Sequence, residues 1–297
     1  MIVYAPTIGE HNSRLKNVIE RPRMAGLKPK HTKCVLFRQD ASFLGHPNTP
    51  AGVKTDDTEV KQVVDWPIPR SVSELRSFMG LTLCYRKFVP YFAEIASSLH
   101  QLTEEGKKFV WSTGCHAAFN TLKDKLSSPI ILAIPDFSPL AGPFIPDNDA
   151  TDLAMGAVLS QKSANAEVVI AYASRQFDKR ERRNCTTRRK MLALVYFLKH
   201  FPPYLLGKPF KVRTDHQALQ WLRNFREPEG QVARWLEYFQ DYDFDCIYRP
   251  GSRHANADAL FRFLTENGNI MLFTTSVGVT WAHYQLNDPY ISSTFRR

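Results

Sequence analysis

The sequence predicts an α+β protein in which a helical subdomain precedes a domain built on a mixed β-sheet. Apolar residues recur at helical spacing between residues 56 and 128. Prolines 129, 135, 139, 143 and 146 then form a connector, which is typical of a domain boundary. Beyond it, strand-like segments come first and helices then alternate with strands, which favours a mixed sheet with helices packed on it.

Composition and charge limit the function classes. A chain of 297 residues suits two domains, or one domain with extensions. Its 43% hydrophobic and 23% charged residues are ordinary for a globular protein and exclude disorder, collagen and coiled coil as descriptions of the whole. The 39 basic and 29 acidic residues give a net charge of +10, which favours a polyanionic partner, nucleic acid first. A basic surface that only aids solubility stays open as the alternative.

The cysteines and the apolar segments indicate an intracellular protein that is neither secreted nor inserted in a membrane. The five cysteines are far apart and form no C-x-x-C pair, so neither a zinc site nor a disulfide framework is expected. The amino terminus has no signal-peptide pattern, and the best apolar stretch, residues 191–198, is too short to span a bilayer. Cytoplasm and nucleus are not distinguished, and the oligomeric state stays unknown.

The first half of the chain is expected to be mainly helical. Residues 10–27 form a polar helical stretch that Pro22 should break or kink. Residues 32–45 suggest a hairpin with Gly45 at its turn. A helix carrying Val60, Val63 and Val64 stops before Pro67, a second follows a start signal at Ser73, and a last helix carries Phe119, Leu122 and Leu126.

The second half is expected to alternate between strands and helices. Strands are predicted at residues 153–160, 168–173, 210–214 and 242–248, with a polar turn at 162–165 between the first two. Helices are predicted at residues 186–200, from His216, at 231–239 and at 256–263, and residues 264–297 have no clear period and look like a tail.

Three aspartates are candidate metal ligands. Asp149 is expected just before the first strand, Asp215 directly follows a strand, and Asp258 begins the last helix. Strand ends are where α/β sheets build ligand sites, and converging carboxylates can hold one or two Mg²⁺ (or Mn²⁺) ions for phosphodiester hydrolysis. The spacing alone leaves open that these aspartates are helix caps or solvated turn residues.

Several motifs in one order give the sequence a family resemblance. They are Asp65-Trp66-Pro67, Leu75-Arg76-Ser77-Phe78-Met79-Gly80-Leu81, Tyr85-Arg86-Lys87-Phe88, Asp149-Ala150, Gly156-Ala157-Val158-Leu159-Ser160-Gln161, Thr187-Arg188-Arg189, Arg213-Thr214-Asp215-His216, Arg249-Pro250-Gly251-Ser252 and Asn256-Ala257-Asp258-Ala259-Leu260. From residue 60 to 262 the chain resembles the thumb and ribonuclease H portion of reverse transcriptase in gypsy-type retrotransposon Pol polyproteins.

The resemblance implies a domain organisation. Residues 1–50 resemble a remnant of the palm, and residues 51–128 a helical thumb or connection subdomain. Residues 129–142 would be a linker, and residues 143–263 an RNase H-like domain with a five-stranded mixed sheet and flanking helices. The role of the tail, residues 264–297, stays unknown.

The resemblance also implies two activities, and the residues present argue against both. RNA-directed DNA polymerase chemistry in the family needs an aspartate pair that would precede residue 2, so the polymerase site is expected to be missing. Ribonuclease H chemistry uses four acids, of which Asp149, Asp215 and Asp258 match three, whereas Lys190 stands at the position of the catalytic glutamate. At ~5 Å and an effective dielectric of ~20, one unit charge and a dication interact by roughly 6–7 kcal/mol before solvent screening. Lys190 is therefore expected to weaken Mg²⁺ binding, unless its side chain points to solvent and leaves a three-aspartate site.

Two further features around the aspartates follow from the resemblance. His254 resembles the family's loop histidine, which assists product departure or proton transfer, with an ordinary surface histidine as the alternative. Phe261 stands where the family has a small serine, so the packing around Asp258 is expected to differ from that of the family.

Basic side chains are the candidate nucleic-acid contacts. Arg180, Arg182, Arg183, Arg188 and Arg189 precede or begin the predicted helix at 186–200, and His216 follows Asp215. The resemblance implies that the thumb residues Arg76, Arg86 and Lys87 help to grip the minor groove of an RNA–DNA hybrid. Phosphate contacts of this kind weaken steeply with salt. A solvated helix entry is the alternative for the run at 179–190.

Three functional hypotheses follow. The leading one is a retrotransposon-derived fragment that binds RNA–DNA hybrid and cuts it poorly or not at all. The second is a Mg²⁺-dependent hybrid endonuclease that works with three aspartates. The third is a non-enzymatic nucleic-acid-binding module, or a relic without a role.

Overall fold

The computed structural model describes residues 3, 5, 7–27, 30, 34–36, 38, 40–43, 45–128, 131–163, 166–217, 219 and 230–249. Its helices are α1 (Ile8–Met24), α2 (Asp57–Val64), α3 (Val72–Cys84), α4 (Phe92–Ile95), α5 (Ser97–Leu102), α6 (Thr113–Ser127), α7 (Thr186–His200), α8 (Pro202–Leu205) and α9 (Gly230–Gln240). Its strands are β1 (Ala41–Phe43), β2 (His46–Thr49), β3 (Gly52–Lys54), β4 (Ile131–Leu132), β5 (Phe144–Ala150), β6 (Ala154–Ser163), β7 (Ala166–Gln176), β8 (Phe210–Thr214) and β9 (Phe244–Tyr248). Among these residues no helix is both long and apolar enough to cross a membrane.

The first helix runs through Pro22, so the expected break is wrong. The side chain of Thr7 caps α1 by accepting a hydrogen bond from the N–H of Glu10. Pro22 lies in the last turn, so its missing N–H removes only one backbone hydrogen bond of the helix. The N–H of Ala25, just after the helix, still donates to the Arg21 carbonyl. No α1 residue is buried.

A small antiparallel sheet of order β1-β2-β3-β4 follows. The predicted turn at Gly45 is confirmed, and the φ of this glycine is +77°. The turn joins β1 to β2, so the predicted hairpin range is displaced: residues 34–36 belong to neither strand. β3 and β4 approach closely at Gly52, where a Cβ would lie 2.2 Å from the Leu132 carbonyl oxygen, so a glycine is required. Residues 131–132, which the sequence analysis places in the linker, form strand β4. The domain boundaries themselves stay a prediction.

The helical block forms as predicted, with one change at its second helix. The cap of α3 is Ser71, whose hydroxyl accepts from the N–H of Glu74, so the start signal assigned to Ser73 was two residues late. The aromatic rings of Phe78 and Phe119 pack 4.5 Å apart and are both almost fully buried. Their burial joins α3 to α6 and stabilises the block.

The second half contains the predicted five-stranded mixed sheet, in the order β7-β6-β5-β8-β9. β5–β6 and β6–β7 are antiparallel, whereas β5–β8 and β8–β9 are parallel. The central strand β5 was missed by sequence reasoning, so Asp149 lies inside a strand rather than before the first one. The predicted helix at 256–263, the tail and most of the helix from His216 lie outside the described residues.

Helix α7, which matches the predicted range 186–200, packs against this sheet. Its buried apolar residues share one core with the sheet and with α9; the core includes Phe144, Met155, Leu159, Ile170, Leu194, Phe197, Leu198, Val212, Trp235 and Phe239. Because the helix is held by this core, the side chains of its first turns are presented to the carboxyl end of β5 and β8.

Candidate active site and nucleic-acid surface

The sheet brings Asp149 and Asp215 together. β5 and β8 are parallel neighbours, with Asn148 paired to Thr214. Asp149 is the next residue of β5 and Asp215 directly follows β8, so their carboxylates come to the same edge of the sheet. The aspartate side chains are 32% and 27% exposed, so this edge is open to solvent.

Lys190 enters the same place from helix α7. Its ammonium nitrogen Nζ lies 2.6 Å from Oδ1 of Asp149 and 2.6 Å from Oδ1 of Asp215, and donates a hydrogen bond to each. The residue is only 6% exposed. The alternative in which Lys190 points to solvent is therefore not the arrangement found.

The residues described at this edge do not form a site for a divalent cation. In the described part of the chain, no group of three or more His, Cys, Asp and Glu side chains is placed to hold a metal ion. The two carboxylates that meet here already bind one ammonium group, which occupies the position of a shared cation. Asp258, His254 and Phe261, which the sequence analysis added to the site, lie outside the described residues.

Hydrogen bonds beside the carboxylates hold His216. Its ring nitrogen Nε2 lies 2.9 Å from the hydroxyl oxygen of Thr187 on α7, and its backbone N–H donates to Oγ1 of Thr214 at 3.2 Å. His216, which follows Asp215 in the chain, is therefore held between α7 and the end of β8, although nothing in the sequence indicated its bond to Thr187.

The arginines that precede or begin α7 fall into two groups, those exposed to solvent and those bound to other groups of the protein. Arg180, Arg183 and Arg188 are exposed and available to a polyanion. Arg189 is different, because its side chain is 13% exposed and its Nη1 lies 2.5 Å from Oδ1 of Asp152. Arg182 donates through Nε to the Phe177 carbonyl at 3.1 Å.

Glu181, the acid nearest to Lys190 in the basic run, is engaged elsewhere. Its Oε1 accepts from Arg175 at 2.8 Å and its Oε2 accepts from the N–H of Asp178 at 2.9 Å. Both oxygens of its carboxylate thus bind groups that precede α7 in the chain.

The three basic residues of the helical block differ in their surroundings. Arg76 is exposed and donates to the Thr103 carbonyl at 3.1 Å. Lys87 lies over the ring of Phe88 at 5.2 Å, and burial lowers its pKa. Arg86 is exposed, and its charge, second to burial, lowers the pKa of His200 at the end of α7. Arg86 therefore adds positive potential near the same helix that carries Lys190.

A family comparison supports the resemblance drawn from the motifs. Residues 140–242 match the family described as the RNase H-like domain found in reverse transcriptase. The matched range contains β5 to β8, helix α7 and both described aspartates.

Sequence relatives extend the similarity over most of the chain. The Retrovirus-related Pol polyprotein from transposon 297 of Drosophila melanogaster is 35% identical over 270 residues, which cover 91% of this chain and 25% of the relative. The Transposon Tf2-3 polyprotein of Schizosaccharomyces pombe is 31% identical over 271 residues, covering 90% of this chain and 20% of the relative. The chain thus spans a quarter or less of the length of these two polyproteins.

Solved structures show the same fold. The foamy viral protease-reverse transcriptase, described in complex with RNA/DNA hybrid, superposes with a TM-score of 0.66 at 24% identity, covering 84% of this chain and 34% of that one. Its dRH form, described in complex with double-stranded DNA, also gives 0.66 at 24% identity, over 83% of this chain and 44% of that one.

Proposed function

We propose, from the match of residues 140–242 to the RNase H-like domain found in reverse transcriptase, that this chain binds RNA–DNA hybrid and cleaves it weakly or not at all. The observation that carries the proposal is the pair of hydrogen bonds, each 2.6 Å, from the Lys190 ammonium to Asp149 and Asp215. The nucleic acid is held by the basic surface, and the carboxylates are neutralised in part by a side chain of the protein.

Binding is supported by charge and by the fold. The net charge of +10 and the exposed Arg180, Arg183 and Arg188 offer phosphate contacts beside the carboxylate edge. The solved structures of similar fold are described with double-stranded DNA and with RNA/DNA hybrid. A hybrid is the ligand that suits both the surface and the family.

Weak cleavage is supported by the charge at the site. RNase H-like domains generally use divalent metal ions. The resemblance implies four acids with a charge of −4, whereas Asp149, Asp215, Asp258 and Lys190 together carry −3 + 1 = −2. A dication about 5 Å from the ammonium, at an effective dielectric of about 20, meets a repulsion of roughly 7 kcal/mol before solvent screening. It must also displace the two hydrogen bonds that Lys190 already makes. We infer that Mg²⁺ or Mn²⁺ binds only weakly here.

A cleavage assay tests the proposal. An RNA–DNA hybrid with a labelled RNA strand is incubated with Mg²⁺ and with the natural chain, Lys190→Glu, Asp149→Asn or Lys199→Glu. Lys199 is the matched control, because it is an exposed residue of the same helix and its substitution makes the same change of charge. We expect little cleavage by the natural chain and by Lys199→Glu, and a gain in Lys190→Glu.

Binding is measured in parallel by fluorescence anisotropy. We expect the affinity for the hybrid to fall about tenfold or more when the salt concentration rises from ~50 mM to ~200 mM. Cleavage by the natural chain that Asp149→Asn abolishes would establish the alternative, an active hybrid endonuclease. Hybrid affinity independent of salt, or no binding at all, would refute the binding half of the proposal.

A further inference from the structure

Tyr91 has an unusual backbone conformation. Among the described residues it is the one non-glycine residue with a positive φ, at φ 55° and ψ 28°. Bulky side chains rarely adopt this left-handed region, and such strain persists only where the surrounding structure holds it, often at ligand sites. Tyr91 is 39% exposed, whereas its aromatic neighbours in the chain, Phe88 and Phe92, are buried.

The turn that carries Tyr91 is attached to the RNase H-like sheet. The backbone N–H of Ala93 donates to Oγ of Ser174 at 2.9 Å, and Nε2 of Gln176 donates to the Ala93 carbonyl at 2.9 Å. Phe92, which separates Tyr91 from Ala93, is 3% exposed. The two bonds of Ala93 and the burial of Phe92 hold the chain directly after Tyr91 against β7 and explain how the strained residue is kept in place.

The ring of Tyr91 lies next to the carboxylate edge. A Cβ on Gly156 would be 3.3 Å from Cδ1 of Tyr91, so the ring packs on that glycine. Gly156 is paired directly with Asp149 between β6 and β5. The ring therefore covers the strand position opposite a candidate site aspartate.

Tyr91 and Asp149 line one open cleft. The cleft encloses about 210 Å³, part of it open solvent, and its other lining residues include Glu94, Thr151 and Ser174. Among the described residues, no lysine or arginine is part of its lining. The Lys190 ammonium neutralises Asp149 from α7, which leaves Glu94 as the carboxylate of the cleft that faces no described lysine in this arrangement. An aromatic ring with hydroxyl groups and this carboxylate suits a sugar better than a phosphate, because a sugar hydroxyl donates to carboxylate oxygen whereas the carboxylate repels a phosphate.

We propose that Tyr91 and Glu94 form a ribose-binding subsite for the RNA strand that lies at Asp149. The Tyr91 ring packs against the sugar, and the Glu94 carboxylate accepts a hydrogen bond from its 2′-hydroxyl, the group by which a protein distinguishes RNA from DNA. The inference rests on the proposed hybrid binding and adds the residues that would select the RNA strand.

The test compares affinities for an RNA–DNA hybrid and for a DNA duplex of the same sequence. Tyr91→Asn removes the ring and introduces a residue that tolerates the left-handed region, whereas Tyr91→Phe keeps the ring. Glu94→Ala removes the acceptor and leaves the strained residue in place. Leu140→Asn is the control, since its side chain is 98% exposed and outside the cleft.

We expect Tyr91→Asn and Glu94→Ala each to weaken hybrid binding about fivefold to tenfold and to reduce the preference for hybrid over duplex. Tyr91→Phe and Leu140→Asn should bind like the natural chain. Unchanged affinity and preference in both Tyr91→Asn and Glu94→Ala overturns the subsite while leaving hybrid binding intact. A natural chain that binds neither nucleic acid overturns the proposed function and the subsite together. Should Tyr91→Asn fail to fold, the preference measured with Glu94→Ala decides the outcome.

Discussion

The Nζ atom of Lys190 lies 2.6 Å from Oδ1 of Asp149, which joins a helix to the central strand of the sheet through one charged hydrogen bond. A second bond of the same length reaches Asp215, the residue directly after the neighbouring strand β8. Lys190 is 6% exposed, while the side chains of its partners are about a third and a quarter exposed, at 32% and 27%. The ammonium group thus stabilises two carboxylates that would otherwise repel each other.

The first prediction concerns the stability that this arrangement provides. Breaking a buried ion pair by removing one partner typically costs about 3–5 kcal/mol of stability. The two aspartates are partly exposed and solvent screens their charges, so we expect Lys190→Met to lose about 1–3 kcal/mol. Urea unfolding measures the loss. Lys199→Met is the control at an exposed position of α7, where the ammonium lies 4.7 Å from the centroid of the Tyr238 ring. It should change the free energy of unfolding by no more than about 1 kcal/mol.

The same measurement in a double-mutant cycle isolates the interaction. Lys190→Met combined with Asp149→Asn should lose less stability than the sum of the two single changes, because the pair is already broken. Additive losses would show that Lys190 and Asp149 do not interact in solution.

The second prediction concerns divalent ions. A ligand that binds only the folded state raises the melting temperature, and each 1 kcal/mol shifts it by about 2–4 °C for a domain of this size class. We expect Mg²⁺ and Mn²⁺ to leave the melting temperature of the natural chain unchanged. Lys190→Glu should melt lower without metal, because its carboxylates repel one another, and should gain at least about 2 °C on addition of Mn²⁺. Calorimetry that detects equal stabilisation of both proteins would contradict the charge argument.

Sequence reasoning located helix α7 and the strands β6, β7 and β8 because their apolar residues follow the helical or the alternating period. It missed β5. That strand contains Pro146, Asp147 and Asn148, which are disfavoured in strands, and its place between β6 and β8 comes from long-range pairing that no local pattern encodes.

The candidate site was only partly predictable. The strand ends identified Asp215, and the motif order identified the position of Lys190, but a lysine side chain has many rotamers and its direction depends on packing. Tyr91 carried no signal, because an aromatic residue in an apolar cluster is most simply interpreted as core. Its exposure arises from the turn that Ser174 and Gln176 hold against the sheet.

The third prediction compares two neighbouring arginines. Arg188 is exposed, whereas Arg189 is 13% exposed and bound to Asp152. Arg188→Ala should weaken hybrid binding and lower the salt slope of the affinity by about 1, as expected for one lost phosphate contact. Arg189→Ala should leave the salt slope unchanged. Anisotropy titrations at several salt concentrations test this, and equal slopes for the two variants would count against the assignment of Arg188 as a phosphate contact.

The fourth prediction concerns the pH dependence of stability through His46. Its ring packs against Tyr85 and Phe88, with centroids 5.5 and 5.6 Å away. Burial, and next the charge of Lys87, lower its pKa from the ordinary 6.5, while Glu59 opposes the shift. Below that ordinary value the unfolded chain takes up a proton at His46 more readily than the folded chain does. The stability contributed at this site is therefore present above about pH 6.5 and is lost as the pH falls toward the lowered pKa.

We expect the free energy of unfolding to decrease between about pH 7.5 and about pH 5.5, and to decrease less in His46→Phe, which keeps an aromatic ring and cannot titrate. A residual decrease should remain in that variant, because burial also lowers the pKa of His100 and His200. His116→Phe is the matched control, since it makes the same substitution at an exposed position. Urea unfolding at the two pH values provides the measurement. If His46→Phe and His116→Phe lose equal stability on acidification, His46 is accessible to protons in the folded chain and the packing argument around Tyr85 is wrong.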